Sequence, residues 1–416
     1  MQRINAGLLV VTAMTSVVLG AQTVGWVAHP DVVRKTTESQ AGFNYDESRV
    51  PQVRLPDVLA SRRGLVTSRD EWQSRRAEIL ELFREHVYGR RPGVPQRLRF
   101  EVVETQAAAM GGAATLHRVA VLSSHQGRDH RFEVTLFLPN ARAGAVPTFL
   151  LLNNRPASNV DPTRVERSPF WPAEELIARG YGIASLQVSD LAPDAPERFT
   201  AGAIQLFEGD VARRPADAWG ALAAWSWGAS RALDYFATNP RVDAARVAVV
   251  GHSRGGKAAL WAGAEDDRFA MVVSNDSGEG GAALARRPYG ETTERINTAF
   301  PHWFNANYKK YNGRESTLPV DQHMLLSLVA PRALYVASAD EDLWADPRGE
   351  FLALAHSSPV FALWGDRQIA PGAMPPVDTP LIVGRRGYHV RTGGHDLTLY
   401  DWSRFADFAD RLGWAK

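Results

Sequence analysis

Twenty residues, ARVAVVGHSRGGKAALWAGA at 245–264, constrain the fold of this chain more than any other stretch. An apolar, β-branched run ends in Gly251-His252-Ser253-Arg254-Gly255 and passes at once into a helix-forming segment of small residues. A strand that turns so abruptly into a helix needs glycines on both sides of the turn, and the residue at its apex is lifted above the sheet edge. The apex is Ser253. The helix N-terminus behind it favours developing negative charge, and the backbone N–H of Arg254 is a candidate oxyanion donor. The G-x-S-x-G pattern alone recurs by chance; the flanking strand and helix make Ser253 a candidate nucleophile and not merely part of a tight structural turn.

The rest of the chain supplies a setting for such an elbow. SRDEWQSRRAEILELFREHVY, from Ser68 to Tyr88, has apolar residues at helical spacing, with Ser68 as N-cap and Glu71 three residues on. RLRFEVVET, ATLHRVAVLSS and HRFEVTLFLP then alternate between glycine-bearing turns and predict antiparallel strands. Beyond them, apolar runs alternate with helical stretches: PTFLLLNN, YGIASLQV, a helix over 217–238, the elbow, FAMVVSN, RALYVASA, PLIVGRRG and a last helix from Leu399. Strands that are apolar throughout suit a parallel sheet covered on both faces. The expectation is an α/β-hydrolase fold: a doubly wound, mostly parallel central sheet with antiparallel N-terminal strands, in a three-layer αβα sandwich. Residues 1–22, with Arg3 ahead of a short apolar stretch, read as an export signal; 23–60, polar and proline-containing, as an arm over the surface; and 61–416 as one catalytic domain.

A serine nucleophile needs a base, and the base an orienting acid, in the chain order Ser, Asp or Glu, His. Of eleven histidines, His395 lies in a GGHD loop before the terminal helix, where flexible glycines precede a polar imidazole. His389 follows the final apolar run PLIVGRRG, and His302, His323 and His356 fall before the acid strand, within it or in helical stretches. Two sets of acids compete: Asp276 after FAMVVSN, and Asp340, Glu341 and Asp342 after ALYVASA. Both stand at the carboxyl ends of predicted parallel strands, where sites form in open α/β sheets. No HExxH or other metal-binding spacing occurs, so neither metal nor cofactor is expected.

GHSRGGKAALWAGA, SNDSGEGG, GETTERINTAFPHWF, LPVDQHMLLSLVAPRALYVASADEDLWADP and GGHDLT together resemble the glucuronoyl esterases of carbohydrate esterase family 15. The similarity runs over roughly residues 50–416 and is carried by five motifs in order and spacing. It implies hydrolysis of the ester between 4-O-methyl-glucuronate of xylan and an alcohol of lignin. By the same resemblance Ser253 is the nucleophile, His395 the base and Arg254 the oxyanion-stabilising arginine, which accounts for the lack of an HGGG-type loop. Lys257, Glu291 and Trp344 are similar to residues lining the sugar pocket. The family acid stands either at Asp276, commonly as Glu, or at Asp342. Here Asp276 is one methylene shorter than Glu, so Asp342 is expected as principal acid with Asp276 in support. Glu279, where a small or cysteine residue is more familiar, is expected to alter the charge of the pocket or to pair with an arginine outside it.

Composition narrows the setting. The 47 basic and 46 acidic residues leave a formal net charge of +1, which gives no reason to expect nucleic acid or an anionic membrane as partner. Cysteine is absent, which excludes a thiol nucleophile, a cysteine zinc site and a disulfide-stapled mini-fold. A secreted or periplasmic bacterial enzyme fits these facts; a glucuronoxylan–lignin ester as its substrate is what the resemblance implies, and a monomer is expected. Rival readings are an acetyl xylan or general carboxylesterase on the same fold, a catalytically silent hydrolase fold that binds polysaccharide, and a peptidase.

Overall fold

Side-chain alternation in the apolar runs sorts them onto two faces of one sheet. In the strand leading to Ser253, Val247 and Val249 join one buried cluster while Ala248 and Val250 join the other. The structure, a computed structural model, describes residues 25–414, so the stretch read as an export signal lies outside it. Among the described residues no helix is long and apolar enough to cross a membrane.

The sheet has ten strands: β1 Arg97–Ala109, β2 Ala114–His125, β3 Arg128–Pro139, β4 Val146–Asn153, β5 Gly182–Gln187, β6 Val242–His252, β7 Met271–Asn275, β8 Ala333–Ala339, β9 Leu381–Val383 and β10 Arg386–Arg391. Their spatial order is β9-β10-β8-β7-β6-β4-β5-β3-β2-β1. The run from β5 to β10 is parallel, β1 to β3 form an antiparallel wing, and β9 closes the opposite edge antiparallel to β10. Six helices frame the site: α1 Pro30–Ser39, α2 Arg69–Phe83, α3 Ala221–Phe236, α4 Arg254–Glu265, α5 Pro347–His356 and α6 Leu399–Arg411. Helices α2, α3 and α4 cover one face of the sheet, and α6 covers the other through Trp402, Phe405 and Phe408. This is the three-layer α/β-hydrolase architecture expected from the sequence, with the predicted antiparallel start.

Ser68 caps α2 reciprocally with Glu71, as the sequence predicts, but the last turn, Arg84–Tyr88, widens to π geometry. One reading needs correction. PLIVGRRG is not a single parallel strand. It breaks at Gly384, whose φ of 60° lets the chain reverse into a hairpin, and the last parallel strand is the following RGYHVR. His389 therefore lies inside the final strand, buried, instead of in a loop after it. Arg386 begins that strand: it is buried, donates to Ser358 Oγ and lies 4.8 Å from the Phe361 ring centre.

The arm is also more than a surface wrap. Residues 30–39 form α1, and Arg287 ties the segment behind it to the body. That guanidinium makes two bonds to Asp346, at 2.8 and 3.1 Å, and two to Glu47 of the arm, at 3.0 and 2.9 Å. Arg287 and Asp346 are both buried, so removing the cation strands a carboxylate in the interior. Arg287→Met should cost about 3–5 kcal/mol of stability, read as a lower urea midpoint; a midpoint equal to wild type would mean the arm is held by other contacts.

Candidate active site

Ser253 occupies a strained apex, with φ 57° and ψ −126°, between β6 and α4. The turn closes because its glycines let backbones touch: a Cβ on Gly251 would sit 2.0 Å from Gly255 O, and one on Gly255 would sit 3.0 Å from Leu152 O. The Ser253 N–H donates to Asn275 O at 2.8 Å, which locks the apex to the end of β7.

The histidine and the acids arrive from neighbouring strand ends. His395 lies in the loop between β10 and α6, and its Nδ1 bonds Asp342 Oδ2 at 2.6 Å. Asp342 stands just beyond β8, buried, while the His395 side chain is half-exposed. Asp276 immediately follows β7 at a φ of 45°, and its carboxylate, that of Asp342 and a His395 ring nitrogen all lie within 4.8 Å of one another. The acceptor for the imidazole is nevertheless Asp342. Asp276 Oδ2 accepts instead from the Asp396 N–H at 3.3 Å and from Arg391 at 3.5 Å. Burial, and then the charge of Asp342, drives the Asp276 carboxyl well above the usual carboxylate range.

Arg254 points its Nη1 at Asp194, 2.6 Å away, and stacks 5.2 Å from the centre of the Trp303 ring. Asp194 also accepts from Trp303 Nε1 at 2.6 Å and bonds His302 Nε2 at 2.8 Å. Burial alone would raise that carboxyl, but the bonds from His302, Trp303 and Arg254 prevail and hold it down to about 2. With its Nη1 anchored, Arg254 keeps a buried Nε that has no partner among the described residues.

Lys257, on the first turn of α4, is buried. Its Nζ donates to Ser277 O at 2.5 Å and lies 3.9 Å from Glu291 Oε2. Burial lowers the lysine and raises the glutamate, each partly offset by the other's charge. The Glu291 N–H donates to Trp344 O at 3.0 Å, so Lys257, Glu291 and Trp344 meet in one place. Tyr45 of the arm is buried beside them, and the charges of Asp342 and Glu291 add to the burial that raises its phenol.

All eight sequence-designated residues thus gather at the carboxyl ends of β6, β7, β8 and β10 and around the first turn of α4. Four others were not foreseen: Asp194, Arg391, Asp401 and Tyr45. Arg391 ends β10 and donates to the carbonyls on both sides of His395, Gly394 O at 2.9 Å and Asp396 O at 2.7 Å, while its Nε bonds Asp401 at 2.9 Å. Asp401 had a sequence signal in the T-x-x-D cap of α6, which the structure forms with Thr398. Asp194 had none, because its partner Arg254 is 60 residues away in sequence.

Of the two expectations for Glu279, the arginine partner is not found among the described residues: its Oε1 accepts from Tyr308 Oη at 2.6 Å and from Thr293 Oγ1 at 2.8 Å. Burial pushes its carboxyl up to about 8.

The model of the family "Glucuronyl esterase, fungi" matches residues 205–365. A solved glucuronoyl esterase from Solibacter usitatus shares 42% identity and a TM-score of 0.82, over 88% of this chain and 99% of that one. "Carbohydrate esterase MZ0003", from an unknown prokaryotic organism, is 38% identical over 95% of this chain and 96% of its own length. A 4-O-methyl-glucuronoyl methylesterase of Schizophyllum commune is 27% identical over 75% of this chain and 74% of its own.

The raised Glu279 carboxyl carries a pH consequence. Between about pH 4.5 and 8 the folded chain keeps a proton that the unfolded chain has released, so stability falls as pH rises through that window. Glu279→Gln keeps an acceptor for Tyr308 and removes this titration. The variant should lose less stability than wild type between pH 5 and pH 8 in urea unfolding. Part of the slope should persist through Glu350, which burial also pushes up to about 8. A slope identical to wild type would show that Glu279 is charged in the folded protein.

Proposed function

The chain belongs to the glucuronoyl esterases of carbohydrate esterase family 15, and from that membership we propose that it hydrolyses the ester between (4-O-methyl-)glucuronate of xylan and alcohols of lignin through a covalent acyl-enzyme. In this reading Ser253 Oγ attacks the uronate carbonyl and His395 Nε2 takes its proton. Asp342, on the other ring nitrogen, fixes the tautomer and stabilises the imidazolium. The oxyanion faces Arg254, whose guanidinium and backbone N–H are its donors. Collapse breaks the bond to the alcohol, which leaves with the proton from His395, and water then hydrolyses the acyl-enzyme by the same route. Lys257 and Glu291 bind the hydroxyls of the sugar, and Trp344 offers it an apolar face. A site that hydrogen-bonds hydroxyls rejects analogues lacking them strongly.

The observation that supports this best is the 2.6 Å His395–Asp342 bond at a strained serine elbow, next to a buried Lys257–Glu291 pair built for a polyhydroxylated acyl group. The same bond favours Asp342 over Asp276 as principal acid. Export on a signal over residues 1–22, one catalytic unit over 61–416 and action as a monomer belong to the same reading.

The test compares methyl and benzyl glucuronate with acetylated xylan and a short-chain nitrophenyl ester. Wild type should prefer the glucuronate esters, and Ser253→Ala should abolish turnover; equal or better activity on acetyl esters would overturn the substrate assignment. Within the site, Asp342→Asn should lower kcat by on the order of 10²–10⁴, and Asp276→Asn by less. The reverse ranking would make Asp276 the principal acid.

A further inference from the structure

The arginine assigned to the oxyanion does not hold itself in place. Asp194, in the loop after β5, bonds Arg254 Nη1 through Oδ2 at 2.6 Å, and its Oδ1 accepts from Trp303 Nε1 at 2.6 Å and from His302 Nε2 at 2.8 Å. Resting on the esterase reading above, we propose that Asp194 is a positioning residue for the transition state. With His302 and Trp303 it fixes the Arg254 guanidinium before the reaction starts and leaves Nη2 as the side-chain donor to the oxyanion.

The three nitrogens of the guanidinium divide as that role requires. Nη1 is engaged by Asp194, Nε is buried without a partner among the described residues, and Nη2 forms no hydrogen bond to any of them. The flat cation lies 5.2 Å from the centre of the Trp303 ring, and that indole is stacked on Phe300 with ring centres 3.8 Å apart. An unanchored arginine samples many rotamers. A bond at one end and a ring against one face hold this one in a single orientation. A donor fixed before the charge develops needs no reorganisation when it does, and oxyanion stabilisation draws its strength from that.

The anchor is itself held. Asp194 is anionic at neutral pH and can only accept, so His302 Nε2 carries a proton. The carbonyls of His302 and Trp303 accept from the N–H groups of Ala221 and Leu222, at 2.9 and 3.3 Å, where α3 begins. Gly220 lets this segment approach, since a Cβ there would sit 2.2 Å from Trp303 O. The platform is thus docked on a buried helix and not on a loop free to drift. Arg254 and Asp194 are both partly exposed, and ion pairs in such settings add little to stability. What this pair supplies is orientation.

The experiment is a double-mutant cycle on methyl glucuronate with Asp194→Asn and Arg254→Ala. His302 and Trp303 both donate to one carboxylate oxygen, so an amide that keeps its oxygen there turns its NH2 towards the guanidinium, and only the bond to Arg254 is lost. Asp194→Asn should lower kcat about tenfold, with KM within about twofold of wild type. Arg254→Ala should lower kcat on the order of 10²–10³-fold. Adding Asp194→Asn to it should change kcat by less than about twofold. Asp194→Ser takes the place of the amide variant in the cycle if that variant fails to fold. A wild-type kcat in Asp194→Asn, or an equal fall in both backgrounds, would overturn the positioning role, because a merely structural loss does not depend on Arg254. Full turnover in Arg254→Ala would remove the oxyanion assignment and the positioning role with it, and failure of wild type to hydrolyse methyl glucuronate would remove the esterase reading beneath both.

Discussion

The site depends on a backbone contact that no side chain makes. At the elbow, Gly251 and Gly255 approach so closely that a Cβ on Gly251 would stand 2.0 Å from a carbonyl oxygen. That approach forces Ser253 into its strained φ and ψ, and the Ser253 N–H then bonds the end of β7. The strain persists because parallel strands on both sides of β6, and α3 and α4 packed over it, leave the turn no other path. The same parallel register brings the ends of β7, β8 and β10 to one edge, so the acids and the histidine loop reach the serine without any long excursion of the chain.

Beneath that edge lies a layer of buried ionisable groups that fixes the loops. Glu350 of α5 accepts from the N–H groups of Ser277 and Gly278, at 2.8 and 2.9 Å, and from Ser338 Oγ at 2.6 Å. The loop it holds carries Asp276 on one side and presents Ser277 O to Lys257 on the other. Arg391, braced by Asp401, holds the carbonyls that flank His395. Buried ionisable groups are costly unless their bonds are complete, and hydrophobic replacements are often as stable. The return for that cost here is geometric: Glu350 ties the loop after β7 to β8, and Arg391 ties the loop after β10 to α6.

What could be read from the sequence follows from the range of the interactions concerned. The elbow, the alternating strands, the Ser68–Glu71 cap and the glycines before His395 are local patterns, and each forms where the sequence places it. PLIVGRRG misled because Gly384 turns the chain inside the run, and Arg386 beyond it is buried in the next strand by Ser358 and the Phe361 ring. The choice between Asp276 and Asp342 turns on which carboxylate oxygen faces an imidazole, a matter of ångströms decided by three separate loops. Asp194 is a stronger case. Its three partners come from the elbow helix and from residues 302 and 303, and nothing within its own neighbourhood in the chain marks it out.

The arm marks the boundary between these two kinds of information. Its polar, proline-containing composition is that of a surface segment, and most of α1 is indeed exposed. Yet Phe43, Tyr45 and Glu47 each meet a residue of the body: Phe43 and Tyr45 pack edge-on against Trp344 and Tyr289, and Glu47 accepts from Arg287. A segment anchored at a few points can change its outward side chains without disturbing the sheet, because those side chains add little to the core. Ser253, Asp342 and His395 have less freedom, since they stand at the elbow and in short loops just beyond β8 and β10. The elbow is therefore written in a local sequence pattern, whereas part of the space around His395 is lined by a segment whose sequence, taken alone, carries no sign of it.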